Sequence, residues 1–174
     1  MTLQSDDVQV EQAAFRESFE AFYLREVRSV VGLAYVLSGS GRAAEDLAHD
    51  AFLKAYRDWA RISSYDDPAG WVRRVVSNDS VSRFRRLAAE TRALVRLKGE
   101  SYVIPETDPE AMHLWEEVRR LPARQAQVIA LRYYDQRSNA EVAEILGCSE
   151  TTVKTHLQRA RETLARRLEE ERPR

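Results

Sequence analysis

The chain has 174 residues, 44% of them hydrophobic and 32% charged, a balance that excludes a disordered polymer and suits one domain or two small ones. A single cysteine, Cys148, excludes an internal disulfide, and three scattered histidines form no cluster at metal-ligand spacing, so neither metal nor cofactor is expected. The net charge of -1 weighs against a nucleic-acid binder on average, but the charge is unevenly distributed.

The first twelve residues, Met1 to Gln12, are acidic and lack an apolar core followed by a cleavage site. They predict a disordered N-terminus on a cytoplasmic chain, and no apolar run reaches membrane-spanning length. Apolar residues then recur at three- and four-residue spacing through Phe15, Phe19, Phe22, Val27, Val30, Val31, Ala34 and Leu37, which predicts a long first helix broken at Ser38 to Gly41. A second helix is expected over Ala43 to Trp59, with Leu47, Ala51, Phe52, Ala55 and Tyr56 on one face and Glu45, Asp46, Asp50 and Lys54 on the others. Asp67-Pro68 predicts the next start, because a carboxylate caps free amides and proline loses nothing in the first turn. From Trp71 to Lys98 this segment carries Arg73, Arg74, Arg83, Arg85, Arg86, Arg92, Arg96 and Lys98 against only Asp79 and Glu90.

Residues 99–110 contain Glu100, Pro105, Glu106, Asp108, Pro109 and Glu110 with little apolar content, as expected of a flexible acidic linker. Asp108-Pro109 then starts a helix, Leu121-Pro122 marks a break, and Ala123 to Tyr134 predicts another helix. Ser138 and Glu141 have capping-box spacing, with Val142, Ala143, Ile145 and Leu146 following and Gly147 as a stop. Ser149 can cap the last helix, where Val153, Leu157, Ala160, Leu164 and Leu168 form one apolar stripe and Thr151, Lys154, Thr155, Gln158 and Arg159 flank it. A short helix bracing a longer one with a polar, basic outer face is the layout of a helix-turn-helix. Lysine, arginine, glutamine and threonine at the start of such a helix suit contacts to phosphates and base edges. No segment alternates with period two, so the expected fold is all-α: two small helical domains, the second a helix-turn-helix, each with a basic surface.

The run LPARQAQVIALRYYDQRSNAEVAEILGCSETTVKTHLQRARETLARRL resembles region four of extracytoplasmic-function (ECF) RNA polymerase sigma factors. AAEDLAHDAFLKAYRDW resembles the region-two helix that docks on the polymerase clamp, and PAGWVRRVVSNDSVSRFRR resembles the helix that engages the minus-ten element. The resemblance implies region two over residues 13–98, a linker over 99–110 and region four over 111–170, preceded by the acidic stretch 1–12. It implies core RNA polymerase, promoter DNA and commonly an anti-sigma factor as partners. Carried over by position, it places Asp46 and Asp50 toward polymerase, and Asn78 beside unpaired minus-ten bases with Arg73, Arg74, Arg83, Arg85 and Arg86 on nearby phosphates. Ser82 stands where many members have aspartate. Thr151, Lys154, Thr155, Gln158 and Arg159 would read the minus-thirty-five element, with Arg132 on a phosphate. His156 fills a position that is often arginine in relatives. Two other classes fit parts of the pattern: a stand-alone helix-turn-helix regulator, and a helical interaction module without DNA function. An enzyme has no comparable support, since no nucleophile-base pairing, glycine-rich phosphate loop or metal motif stands out.

Overall fold

The computed structural model describes residues 17–90 and 109–170, which are helical with no strand among them. Helix α1, Phe19–Ser38, starts where Ser18 Oγ accepts the amide of Ala21 at 3.2 Å and stops at Gly39, whose φ of 70° lets its amide reach the carbonyl of Tyr35. Ser40 caps α2, Gly41–Arg57, so this helix begins two residues ahead of the expected Ala43. It also ends early: Asp58 leaves the helical region, and Trp59 opens a separate short helix α3, Trp59–Ile62. Helix α4, Pro68–Glu90, starts at the expected proline, with Asp67 Oδ1 accepting the amide of Gly70 at 2.8 Å. Helices α1, α2 and α4 close around Phe22, Val30, Ala34, Leu47, Phe52, Val72 and Val76, and the rings of Phe19, Phe22 and Trp59 extend this core toward α3.

The second unit comprises α5, Pro109–Arg119, α6, Ala123–Ile129, a π-helical turn Ala130–Tyr134, α7, Asn139–Leu146, and α8, Glu150–Glu170. The π turn appears as the amide of Asp135 bonded to the carbonyl of Ala130, five residues back, at 3.1 Å. Both halves of the predicted capping box are made: Glu141 N–H donates to Ser138 Oγ at 3.2 Å, and Ser138 N–H donates to Glu141 Oε2 at 2.8 Å. Gly147, at φ 66°, occupies the left-handed region that penalises a side chain, and the amide of Cys148 returns to the carbonyl of Ala143 at 2.9 Å to close the end of α7. Cys148 packs against the core beneath.

That core unites Val118, Leu121, Val128, Leu131, Val142, Ile145, Val153 and Leu157 with Leu33, Val36 and Leu37 of α1. Helix α1 therefore buries two faces, one in each core, and the two units are docked on each other through it. The linker expected over 99–110 lies outside the described residues, apart from the start of α5.

The amide of Ser138, followed by its hydroxyl and Arg137, holds the carboxyl of Glu141 below its ordinary value. A depressed carboxyl stabilises the fold above its unfolded value, and that contribution disappears as pH falls through the folded one. Ser138→Ala should cost about 1 kcal/mol in urea unfolding near neutral pH. Glu141→Gln should weaken the box and flatten the loss of melting temperature on acidification. Unchanged acid sensitivity would place that sensitivity elsewhere.

Candidate nucleic-acid interface

Helix α8 buries Val153, Leu157, Ala160 and Leu164, and this fixes its rotation. Thr151, Lys154, Thr155, Gln158 and Arg159 are consequently exposed together. Ser149 Oγ accepts the amide of Thr152 at 3.1 Å, so the helix start beside these side chains is capped. Two of the side chains have acidic neighbours one turn away, Lys154 at 4.0 Å from Glu150 and Gln158 Nε2 donating to Glu162 at 3.0 Å. Solvent-exposed pairs of this kind are weak enough to exchange for a ligand. His156 is half-buried, and its Nδ1 is buried without a hydrogen-bond partner, so the ring faces the module instead of the outer surface.

Beside α8 the π turn presents Tyr133, 45% exposed. The guanidinium of Arg132 lies 5.9 Å from its ring centroid and that of Arg161 lies 5.5 Å away, with Arg161 Nε donating to Tyr133 Oη at 2.8 Å. Arg132 was expected at this surface; Tyr133 and Arg161 were not. The available signal was Arg161 lying seven residues after Lys154, on the same side of the helix.

On α4, Asn78 and Ser82 are exposed one turn apart, and Ser82 Oγ donates to the carbonyl of Asn78 at 3.3 Å. Arg83, Arg85 and Arg86 belong to the same helix, but their side chains lie outside the described part. The expectation for Arg73 needs correcting in this arrangement, where its guanidinium is enclosed, whereas Arg74 is exposed. Arg73 is 3% exposed; its Nε donates to Asp135 at 2.5 Å, Nη1 to Glu26 at 2.8 Å and Nη2 to Ser29 Oγ at 2.9 Å. Arg74 Nε donates to the carbonyl of Ile145 at 2.8 Å and Nη2 to that of Glu144, so it caps the carboxyl end of α7.

Asp46 and Asp50 are exposed one turn apart on α2. Next to them is a surface groove of about 570 Å³ lined by Phe19, Tyr23, Leu24, Phe52, Leu53 and Tyr56, with Glu20 and His49 at its rim. Leu24 is 75% exposed there and Tyr56 58%. Sequence reasoning placed Tyr56 in the core and did not find the groove, because an exposed leucine on a docking face follows the same helical period as a buried one.

The family model described as "Sigma-70 region 2" matches residues 22–90, and "Sigma-70, region 4" matches residues 112–164. The ECF RNA polymerase sigma factor SigW of Bacillus subtilis is 31% identical over 154 residues, covering 78% of this chain and 81% of that protein. The ECF RNA polymerase sigma factor SigM of Mycobacterium tuberculosis is 29% identical over 159 residues, covering 90% and 80%. Among solved structures, the sigma factor RpoE of Bartonella quintana, in complex with the anti-sigma factor NepR, superposes with a TM-score of 0.71 at 22% identity, covering 88% of this chain and 98% of that one.

Arg73→Ala leaves the carboxylates of Glu26 and Asp135 buried without their shared partner. Breaking one side of a buried ion pair costs several kcal/mol, so this substitution should lower unfolding free energy in urea by about 3 kcal/mol. Lys54→Ala, which removes the exposed 2.8 Å pair with Asp79, should cost under about 1 kcal/mol. Equal costs for the two would remove Arg73 from any structural role.

Proposed function

Because the chain belongs to the sigma-70 family as an ECF RNA polymerase sigma factor, we propose a division of labour among its exposed side chains. Such a factor binds core RNA polymerase and directs DNA-templated transcription initiation at specific promoters. It reads the minus-ten element with region two and the minus-thirty-five element with the region-four helix-turn-helix. In this reading residues 13–98 and 111–170 are the two binding modules and 99–110 is their linker.

Thr151, Lys154, Thr155, Gln158 and Arg159 meet the minus-thirty-five element in the major groove. The observation that carries this assignment is their joint exposure on one side of α8 while the opposite stripe is locked in the core. Gln158 offers both donor and acceptor to an adenine edge, Lys154 and Arg159 offer charge to guanine or phosphate, and Arg132 contacts the backbone. Asn78 is the reader of an unstacked minus-ten base, since an amide serves a base edge both ways. Ser82 is its neighbour in that site, and Arg83, Arg85 and Arg86 neutralise nearby phosphates. Asp46 and Asp50, with the apolar groove beside them, form the docking face for polymerase: the carboxylates steer the encounter and the exposed leucine and tyrosines supply buried area.

The work of the chain is binding, without a reaction of its own. Polymerase fixes the spacing of the two modules, and linked modules then gain an avidity that each lacks alone. The setting is the cytoplasm, where polymerase and DNA are found. No described helix is long and apolar enough to cross a membrane. The RpoE relative was solved with the anti-sigma factor NepR, and a partner of that kind is proposed here too.

Run-off transcription with core polymerase on a random promoter library tests the assignment. Transcripts should depend on the chain and share two spaced upstream elements. Gln158→Ala should relax preference at one or two minus-thirty-five positions by roughly 10- to 100-fold, and Asn78→Ala should do so only in the minus-ten element. Promoter preferences identical to wild type in both variants would refute the residue roles.

A further inference from the structure

We infer that Arg132, Tyr133 and Arg161 together form a site for a DNA backbone phosphate at the edge of the minus-thirty-five face, with the tyrosine at its centre. The inference rests on the assignment of the polar face of α8 to that element and extends it to Tyr133 and Arg161.

The π turn places Tyr133 against α8 with its ring 45% exposed. Two cations gather on this ring, Arg132 at 5.9 Å from the centroid and Arg161 at 5.5 Å. Arg25, Arg61 and Arg167 are each paired with a carboxylate. Among the described residues neither Arg132 nor Arg161 has such a partner, and the electron-rich face of the ring is what holds both. Two like charges beside one ring repel each other, and an anion between them relieves that repulsion.

The phenol adds a third donor. Tyr133 Oη accepts both Nε, at 2.8 Å, and Nη2 of Arg161. Its lone pairs are thereby engaged, while its own hydrogen has no acceptor among the described residues. Two guanidinium groups and one hydroxyl thus converge on an open surface, a donor set that suits the oxygens of a phosphodiester. A brace that only tied the π turn to α8 would require the bonds to the phenol but no uncompensated cations.

Position identifies the phosphate. Arg161 follows Lys154 by seven residues, on the same exposed side of α8 and roughly 10 Å further along its axis. The first turns of a recognition helix reach base edges in a groove about 8.5 Å deep, so a residue two turns later lies at the rim, where the backbone runs. Contacts of this kind fix register and add affinity without reading sequence.

The test measures binding of the full chain to a short duplex of random sequence across a range of potassium chloride concentrations. Arg161→Ala should weaken binding and reduce the slope of log affinity against log salt by about 0.9, so that a fourfold rise in salt costs the variant about 3.5-fold less affinity than the wild type. Tyr133→Phe keeps the ring and removes only a neutral donor, so it should weaken binding at an unchanged slope. In the polymerase holoenzyme, neither variant should alter which minus-thirty-five bases are preferred in run-off transcription from the random promoter library.

A wild-type slope in Arg161→Ala, or wild-type affinity in Tyr133→Phe, overturns the site. A change of preference at one base pair would make Arg161 a base reader and overturn it too. A brace without a ligand would appear as lost unfolding free energy in both variants at an unchanged slope. Arg161→Gln replaces the alanine variant should that one fail to fold, since it also removes the charge. If Gln158→Ala shifts minus-thirty-five preference while Arg161→Ala keeps the wild-type slope, this site alone fails; if Arg161→Ala lowers the slope and no promoter preference is recovered, the functional reading fails instead.

Discussion

A guanidinium removed from water needs acceptors for its N–H groups, and Arg73 finds four, drawn from both halves of the molecule. Asp135 receives Nε, Ser29 receives Nη2, and Nη1 is shared between Glu26 and the carbonyl of Ala69. Lysine offers one nitrogen on a flexible stem and cannot span such a set; the planar fork of arginine can. Glu26, itself 7% exposed, accepts from the same arginine and from Arg25. One side chain therefore links the charge balance of α1, α4 and the segment after the π turn. Arg25 on Glu26 and Arg137 on Asp135 complete the network, but neither bridges the two halves as Arg73 does, which makes the docked arrangement specific even where the ion pairs contribute little net free energy.

The second condition for docking is a first helix apolar on two sides. Phe22, Val30 and Ala34 face the first core, while Leu33, Val36 and Leu37 complete the second. A surface helix of a lone domain presents one apolar stripe, and the second stripe of α1 needs a partner. The partner arrives in register because the π turn carries one extra residue per turn, which sends Tyr133 outward to Arg161 and Tyr134 inward to Gly32. Where α5 ends, the guanidinium of Arg119 donates to the carbonyl of Val36 at 3.2 Å and satisfies an acceptor in the last turn of α1.

What could be read from the sequence was local. Caps and stops lie within four residues of one another, so Ser138, Glu141, Gly147 and Ser149 declared the helix-turn-helix, and the stripe from Val153 to Leu164 fixed which side of α8 is exposed. The docking was not legible. Arg73 and Asp135 are 62 residues apart, and nothing in an arginine-rich stretch separates the member that will be enclosed from those that stay in solvent. Asn78 and Ser82 occupy the same helix as Arg73 and remain exposed, since a rotation of one or two residues around α4 moves a side chain from the seam to the surface. The boundary of α2 was misplaced for a related reason: Trp59 keeps the helical period, yet its indole turns back to donate to the carbonyl of Glu17 at 3.2 Å, and the backbone bends at Asp58 to let it.

The two surfaces proposed to face DNA are positioned in different ways. Helix α8 displays its polar face whatever the docking, because its rotation is set by its own core. On α4, Arg73 is enclosed at the seam while Arg74, Asn78 and Ser82 are exposed, so the two sides of this helix are held differently. The docking also buries apolar area, since Leu33, Val36 and Leu37 of α1 complete the second core, and separating the units would expose it. The charged groups at the seam fix where the two units meet, and the second apolar stripe of α1 supplies the buried area that holds them there.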